Sequence, residues 1–314
     1  MKRVVLSALL FCASCSPREA PPGVQPAYSV SALTGDSAFR VVKSFVALGP
    51  KVPGTEGARK AATHLIDRLS ALGLKAERDE FTDATPGGTG TFVNVTATVP
   101  GKKSGLVILA AHWDTKSGID GFVGANDSGT GVGLLLALAP ILKAGAGQGP
   151  SVMLVFLDGE ECRVNYTPTD GLNGSRHLAR SLVASGRARE VRAMILLDMV
   201  GDRNLNVAIP RNGTPELMSA VFKAAEDGGV REKFSLARME ILDDHQPFLD
   251  AGIPAIDLID FDYGSAPGLN DYWHTPADTL DKLSPASLEI VGRVVLRVLN
   301  TYVYSASTSF STAN

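Results

Sequence analysis

Cysteine is scarce in this chain. Three residues among 314, Cys12, Cys15 and Cys162, cannot build a disulfide framework. A fold of this size can stabilise its own core without such staples. A basic excess is also missing. Lys and Arg number 30 against 33 Asp and Glu, a net of -3, which is no footprint for nucleic acid. No Gly-x-Ser-x-Gly occurs, so the nucleophile elbow of a serine hydrolase is absent. No internal repeat is found. What is there is ordinary for a soluble globular protein: 45% apolar and 20% charged residues. Disorder, collagen and coiled coil are thereby excluded for the chain as a whole.

Residues 1–15 read as an address. Lys2 and Arg3 precede a short apolar run from Val4 to Phe11, and Ala13 and Ser14 lead into Cys15. The run is too short to span a bilayer as a stop-transfer helix. The pattern resembles a bacterial lipoprotein signal with Cys15 as the lipidated residue, although Cys12 stands where such signals usually carry Leu. A plain secretory signal cleaved nearby is the alternative. Either way the protein is expected to be exported, facing the periplasm or the cell surface, with Cys15 as its membrane contact. Removing residues 1–14 leaves 28 basic and 33 acidic side chains, a net of -5. Residues 16–31, rich in Pro and small residues, read as a flexible tether.

From about residue 32 to 307 the pattern is one α/β domain. Apolar spacing predicts helices over 37–48, 56–72, 131–142, 172–184, 216–225 and 286–302. Alternation predicts strands over 74–81 and 91–99. Continuous apolar runs predict buried strands over 106–111, 152–157, 191–197 and 255–259. A three-layer sandwich with a mixed, mostly parallel central sheet fits this order. In such sheets the binding crevice lies beyond the carboxyl ends of the strands.

Acidic and imidazole side chains follow several of these apolar segments. His112 and Asp114 follow 106–111, Glu160 and Glu161 follow 152–157, and Asp198 follows 191–197. Asp127 ends Gly124-Ala125-Asn126-Asp127, Asp243 opens Asp243-Asp244-His245, and His274 lies in Tyr272-Trp273-His274-Thr275. Any one of these acids could be a helix cap or a turn residue. Together, imidazole and carboxylate without thiolate suit a catalytic zinc with an open position. Adjacent Glu160 and Glu161 point in different directions, so one can bind metal while the other serves as general acid or base. Asp158, His64 and His177 read as structural. His245 reads either as packing or as orienting a carboxylate.

The set His112, Asp114, Asp127, Glu160-Glu161, Asp198 and His274 resembles the zinc exopeptidase superfamily of dinuclear-zinc aminopeptidases. Finer likeness points to its glutaminyl cyclase (glutaminyl-peptide cyclotransferase) branch. It is carried by Phe122-Val123-Gly124-Ala125-Asn126-Asp127-Ser128, by Phe156-Leu157-Asp158-Gly159-Glu160-Glu161, by Gly174-Ser175-Arg176-His177-Leu178-Ala179 and by Asp243-Asp244-His245-Gln246-Pro247-Phe248. Aminopeptidases usually have Ser where Asp243 stands, and Trp273 before the last histidine is also cyclase-like. The resemblance implies a single zinc on Asp127, Glu161 and His274, Glu160 as general acid/base, and Asp198 and Asp243 as its hydrogen-bond network. It implies Trp273 and Tyr166 as substrate walls, Tyr166 falling where the cyclases often place Trp. Ala111 and Val132 occupy the places of a disulfide found in animal relatives, which leaves Cys162 a lone thiol.

The activity so implied is cyclisation of N-terminal glutamine to pyroglutamate with release of ammonia. Peptide or protein N-termini would be the substrates, nucleic acid would not be a partner, and a monomer is expected. The rival within the superfamily is an aminopeptidase with two zincs, His112 and Asp198 holding the second. A surface-anchored binding module that lost its chemistry is the rival outside it.

Overall fold

A computed structural model describes residues 26–303. The signal over 1–15, the lipid anchor at Cys15 and the last residues of the segment 32–307 lie outside the described residues. The helices are α1 (Gly35–Val46), α2 (Glu56–Ala71), α3 (Gly129–Ala144), α4 (Asn173–Ala184), α5 (Pro215–Asp227), α6 (Gln246–Asp250) and α7 (Pro285–Val298). The strands are β1 (Ala76–Thr85), β2 (Gly88–Val99), β3 (Leu106–His112), β4 (Ser151–Leu157), β5 (Val191–Asp198), β6 (Val207–Ile209), β7 (Phe234–Leu236) and β8 (Ala255–Ile259). Local chemistry sets several starts. Thr34, Thr55 and Ser284 accept backbone N–H bonds at the heads of α1, α2 and α7.

Among the described residues six strands form one sheet in the order β1-β2-β4-β3-β5-β8. The four strands β4, β3, β5 and β8 are parallel, and the β1–β2 hairpin is antiparallel at one edge. The strand period of two divides the core cleanly. Val107, Leu109 and Ala111 of β3 face the apolar layer of α1, α2, α3, α5 and α7. Leu106, Ile108 and Ala110 face the layer of α4 and α6. Each fully buried Leu or Val of this kind contributes about 1.5–3 kcal/mol over exposure. The mixed, mostly parallel sandwich is therefore present as expected.

Helix α3 is apolar nearly all round because it is enclosed. Gly131 lets it lie against β5, since a Cβ there would sit 2.2 Å from the Leu197 carbonyl oxygen. This contact brings the start of α3, and Asp127 just before it, over the carboxyl ends of the central strands.

The tether ends sooner than expected. Tyr28 is buried, its backbone N–H donates to Asn300 Oδ1 at 2.9 Å, and its carbonyl accepts from Asn300 Nδ2 at 2.8 Å. An aromatic ring and a paired backbone dock residues 28–31, which composition alone assigns to a loose linker. Strands β6 and β7 and helix α6 also go beyond the sequence reading, being too short to show a period.

Candidate active site

The sheet order explains the site. Strand β3 lies between β4 and β5, so His112 at its end is flanked by the Glu160-Glu161 loop and by Asp198. Asp127 is supplied from the loop before α3, His274 from the long segment after β8, and Asp243 from the loop before α6. All lie at the carboxyl side of the parallel strands, where the crevice of such sheets opens.

Two triads share Asp127. In the first, His112 Nε2 lies 3.0 Å from Asp127 Oδ1 and 3.3 Å from Asp198 Oδ1. In the second, His274 Nε2 lies 3.3 Å from Asp127 Oδ2 and 3.0 Å from Glu161 Oε2. Within each triad the candidate ligand atoms all lie within 4.8 Å of one another. Buried polar atoms normally find aligned partners. Here both ring nitrogens of His112, Asp127 Oδ2, Glu161 Oε2 and Asp198 Oδ1 have close neighbours but no aligned hydrogen bond. Converging, unsatisfied nitrogen and carboxylate atoms are what a zinc ion requires, so the residues present fit that metal.

The surrounding chain holds these groups in place. Asp114 accepts the N–H of Glu160 at 3.1 Å and of Glu161 at 3.3 Å, and its Oδ1 lies 3.4 Å from His112 Nδ1. A carboxylate behind a ligating imidazole fixes its orientation. Asp278 accepts the N–H groups of Asn126 and Asp127 at 2.8 and 3.2 Å, and the Tyr263 hydroxyl at 2.7 Å. Gly159 turns the chain into the glutamate pair with φ +70°, and a Cβ there would strike the Phe92 ring at 2.5 Å. His274 itself has a left-handed backbone, φ 54°. That conformation is uncommon for a side chain of this size.

A cavity of about 240 Å³ opens beside the triads, lined by Asp127, Glu160, Tyr166, Asp198, Asp243 and Trp273 among others. The Tyr166 hydroxyl donates to Glu160 Oε1 at 2.8 Å. The indole of Trp273 stacks on the His274 ring, centroids 3.8 Å apart, and leans on Phe261. The network expected among Glu160, Asp198 and Asp243 is arranged differently. Glu160 pairs with Tyr166, Asp198 lies against His112, and Asp243 meets Asp257. The reason is topological, since the three acids arrive on separate segments and act on one another through charge across the cavity.

Burial dominates the proton chemistry. It raises Glu160 well above the usual carboxylate range, with the charges of Glu161, Asp243 and Asp244 adding to it and His112 opposing. Burial raises Asp243 likewise, helped by Asp198 and Asp244. Glu161 is raised to about 7 by burial and by the charge of Asp127. Burial also acts to raise Asp127, but the close imidazoles of His112 and His274 outweigh it and hold that carboxyl below the ordinary range. For His274 burial acts downward, yet Asp127 and Glu161 bring it up to about 9.

The remaining candidates are elsewhere. His64 is half-buried near Phe45, and His177 stacks on Phe81 and bonds Asp79 at 3.0 Å. His245 is buried, and neither ring nitrogen has a hydrogen-bond partner among the described residues. Asp158 Oδ2 accepts the Val93 N–H, a structural bond. Cys162 is a free, buried thiol whose Sγ and carbonyl both receive Lys116 Nζ.

Lys116 Nζ also lies 3.6 Å from Glu161 Oε2, a cation beside a ligand that no sequence motif marks. Asp278 and Tyr263 carry no such mark either. Asp257 has a visible signal, a lone acid in the middle of the apolar strand Ala255–Ile259. It is fully buried against Asp243. Neither of its carboxyl oxygens has a hydrogen-bond donor, and burial with the charges of Asp243 and Asp198 raises its proton affinity.

The model of peptidase family M28 matches residues 94–299. A glutaminyl-peptide cyclotransferase-like protein of Bos taurus is 31% identical over 281 residues, covering 81% of this chain and 72% of its own. The glutaminyl-peptide cyclotransferase of Bothrops jararaca is 29% identical, over 80% of this chain and 78% of its own. Among solved structures, an Acidobacteriales bacterium glutaminyl cyclase superposes with a TM-score of 0.83 at 36% identity, covering 91% of this chain and 99% of the other. A Zn-dependent exopeptidase from Parabacteroides distasonis gives 0.78 at 28% identity, covering 87% and 100%. The chain belongs to peptidase family M28, in its glutaminyl cyclase branch.

Proposed function

We propose that this protein is a zinc-dependent glutaminyl-peptide cyclotransferase, converting the N-terminal glutamine of peptides to pyroglutamate with release of ammonia. The observation that carries the reading is Glu160. It is buried at the cavity wall, bonded by the Tyr166 hydroxyl, across from Asp243 and Trp273 and next to a triad suited to zinc.

When bound on Asp127, Glu161 and His274, a zinc ion would supply Lewis-acid polarisation of the γ-amide carbonyl. The α-amine and that carbonyl belong to one residue, so the chain's task is orientation and charge stabilisation. Glu160 takes a proton from the attacking amine and returns it to the leaving ammonia. Its raised proton affinity suits both halves of that transfer at neutral pH. The Tyr166 hydroxyl donates to Oε1 of Glu160 and so helps to hold that carboxyl at the cavity wall. Tyr166 and Trp273 wall the cavity and limit the access of water, which is not a reactant. One zinc is expected, following the cyclase resemblance. The amine ends of exported or surface peptides are the natural substrates if the N-terminal address acts as read, with Cys15 as lipid anchor and the enzyme a monomer. No helix among the described residues is long and apolar enough to cross a membrane.

A second reading is favoured by one specific observation, the two triads sharing Asp127. It is a dinuclear-zinc aminopeptidase in which water is the nucleophile. The test incubates the purified, zinc-loaded chain without residues 1–15 with a Gln-peptide and a Leu-arylamide side by side. Ammonia with a product lighter by one ammonia is the expected result. Free arylamine alone would replace the cyclase reading with the aminopeptidase.

A further inference from the structure

Large apolar side chains are unevenly exposed on this protein. Among the described residues six are conspicuous, and three of them, Leu236, Met239 and Leu242, fall within seven positions. Met239 is 68% exposed, Leu242 51% and Leu236 47%. A fourth, Leu269, directly follows Gly268. Clustered exposure of this kind marks a binding surface more often than scattered exposure does.

The cluster borders a second cavity, of about 500 Å³, lined by Ala208, Leu236, Met239, Ile241, Phe261 and Gly268 among others. Met239, Ile241 and Phe261 line the active-site cavity as well. The two spaces therefore share one wall. That wall is built in advance: Ala237 N–H donates to the Ile209 carbonyl at 2.8 Å, and the Met239 carbonyl accepts the Arg211 N–H at 3.3 Å. The segment so pinned continues the edge of β6. At the rim, Asn206 Nδ2 donates to Asp262 Oδ2 at 2.9 Å.

A peptide whose first side chain occupies the active-site cavity must lead its remaining chain outward. Met239, Ile241 and Phe261 are common to that cavity and the next one, so a following side chain passing over them enters an apolar space. We propose that this second cavity is a subsite for an apolar side chain close behind the N-terminal residue of the substrate peptide. The inference rests on the cyclotransferase reading and names a preference that reading does not contain. Pocket size and apolar lining match those of ordinary ligand sites, and a fixed wall lowers the cost of ordering.

The test measures ammonia release by the zinc-loaded full chain from Gln-Gly-amide and from the tetrapeptides Gln-Gly-Gly-Gly, Gln-Phe-Gly-Gly and Gln-Gly-Phe-Gly. Phe in one of the two positions should raise kcat/KM roughly tenfold over the all-glycine peptide, chiefly through KM, the order of discrimination an apolar pocket provides. Leu236→Glu, on the exposed rim, and Ala208→Trp, which fills the cavity, should erase that preference while leaving Gln-Gly-amide turnover unchanged. Equal kcat/KM for all three tetrapeptides in the unaltered chain overturns the subsite alone. So does a preference untouched by Leu236→Glu. A concentration-dependent dimer that Leu236→Glu dissolves without changing selectivity would assign the face to a second copy, and also overturns it. No ammonia from any glutamine substrate would instead sink the cyclotransferase reading.

Discussion

Asp127 has different company on its two sides. Toward β5 it meets His112 and Asp198, and His112 is also backed by Asp114, so one almost wholly enclosed imidazole lies among three carboxyl groups. Toward the long segment after β8 it meets Glu161 and His274, and the His274 side chain is 16% exposed. The ligand chemistry is the same on both sides. A catalytic metal needs a position open to substrate, and each side presents one ligand to the cavity, Asp198 at 10% exposure and His274 at 16%. On the enclosed side, a proton on His112 can balance charge that a second cation would otherwise balance. The same ligand set can thus serve one metal or two, and the metal content of variants on each side distinguishes the two cases.

The largest effect that could break this comparison is on metal content. Glu161→Ala is expected to strip the zinc and abolish turnover, whereas His112→Ala should retain one zinc per chain, as read by elemental analysis of the purified variants. Equal loss in both would mean the two sides act as one dinuclear centre. Next in size is Glu160→Gln, expected to lower kcat by roughly 10²–10⁴, the span for removing a general acid/base. Its zinc content should stay at the level of the unaltered protein. Zinc loss as complete as in Glu161→Ala would merge the roles assigned to the two neighbours.

The smallest effect concerns the buried acids behind the enclosed side. Burial, reinforced by the charges of Asp243 and Asp198, holds the Asp257 carboxyl well above its ordinary range. The folded protein therefore keeps that proton to a higher pH than the unfolded chain, whose Asp titrates at about 3.9. Stability from this group is full below that value and is lost as pH rises toward the folded pKa. Asp257→Asn keeps a donor toward Asp243 and has no proton to lose. Urea unfolding across a pH series should show the variant gaining on the unaltered protein from about pH 4 upward. Parallel profiles would show that Asp257 does not keep its proton in the folded protein.

Legibility followed burial and length. The runs 106–111, 152–157 and 191–197 announce β3, β4 and β5 because strands covered on both faces are continuously apolar, and a polar residue at their ends is conspicuous. That is why His112, Glu160, Glu161 and Asp198 can be picked out from the amino-acid order alone. Strands β6 and β7, three residues each, show no period to read. The subsite wall built on them is equally invisible. Tyr166 can be placed near the site by resemblance, but its bond to Glu160 depends on how residues 162–172 fold back. The proline-rich look of residues 16–31 hides Tyr28, whose anchor Asn300 lies at the far end of the chain. Asp257 is readable as an anomaly, and only its burial against Asp243 gives the anomaly a meaning.

Asp114 takes the backbone N–H groups of both Glu160 and Glu161. One carboxylate thus serves as a common pivot for the proton carrier and for a metal ligand. A displacement of the Asp114 carboxylate would therefore disturb the Glu160 and Glu161 backbones together, so the two roles are not positioned independently. A single substitution at Asp114 would then reach the proton carrier and the metal ligand at once, although its side chain touches the reacting atoms of neither.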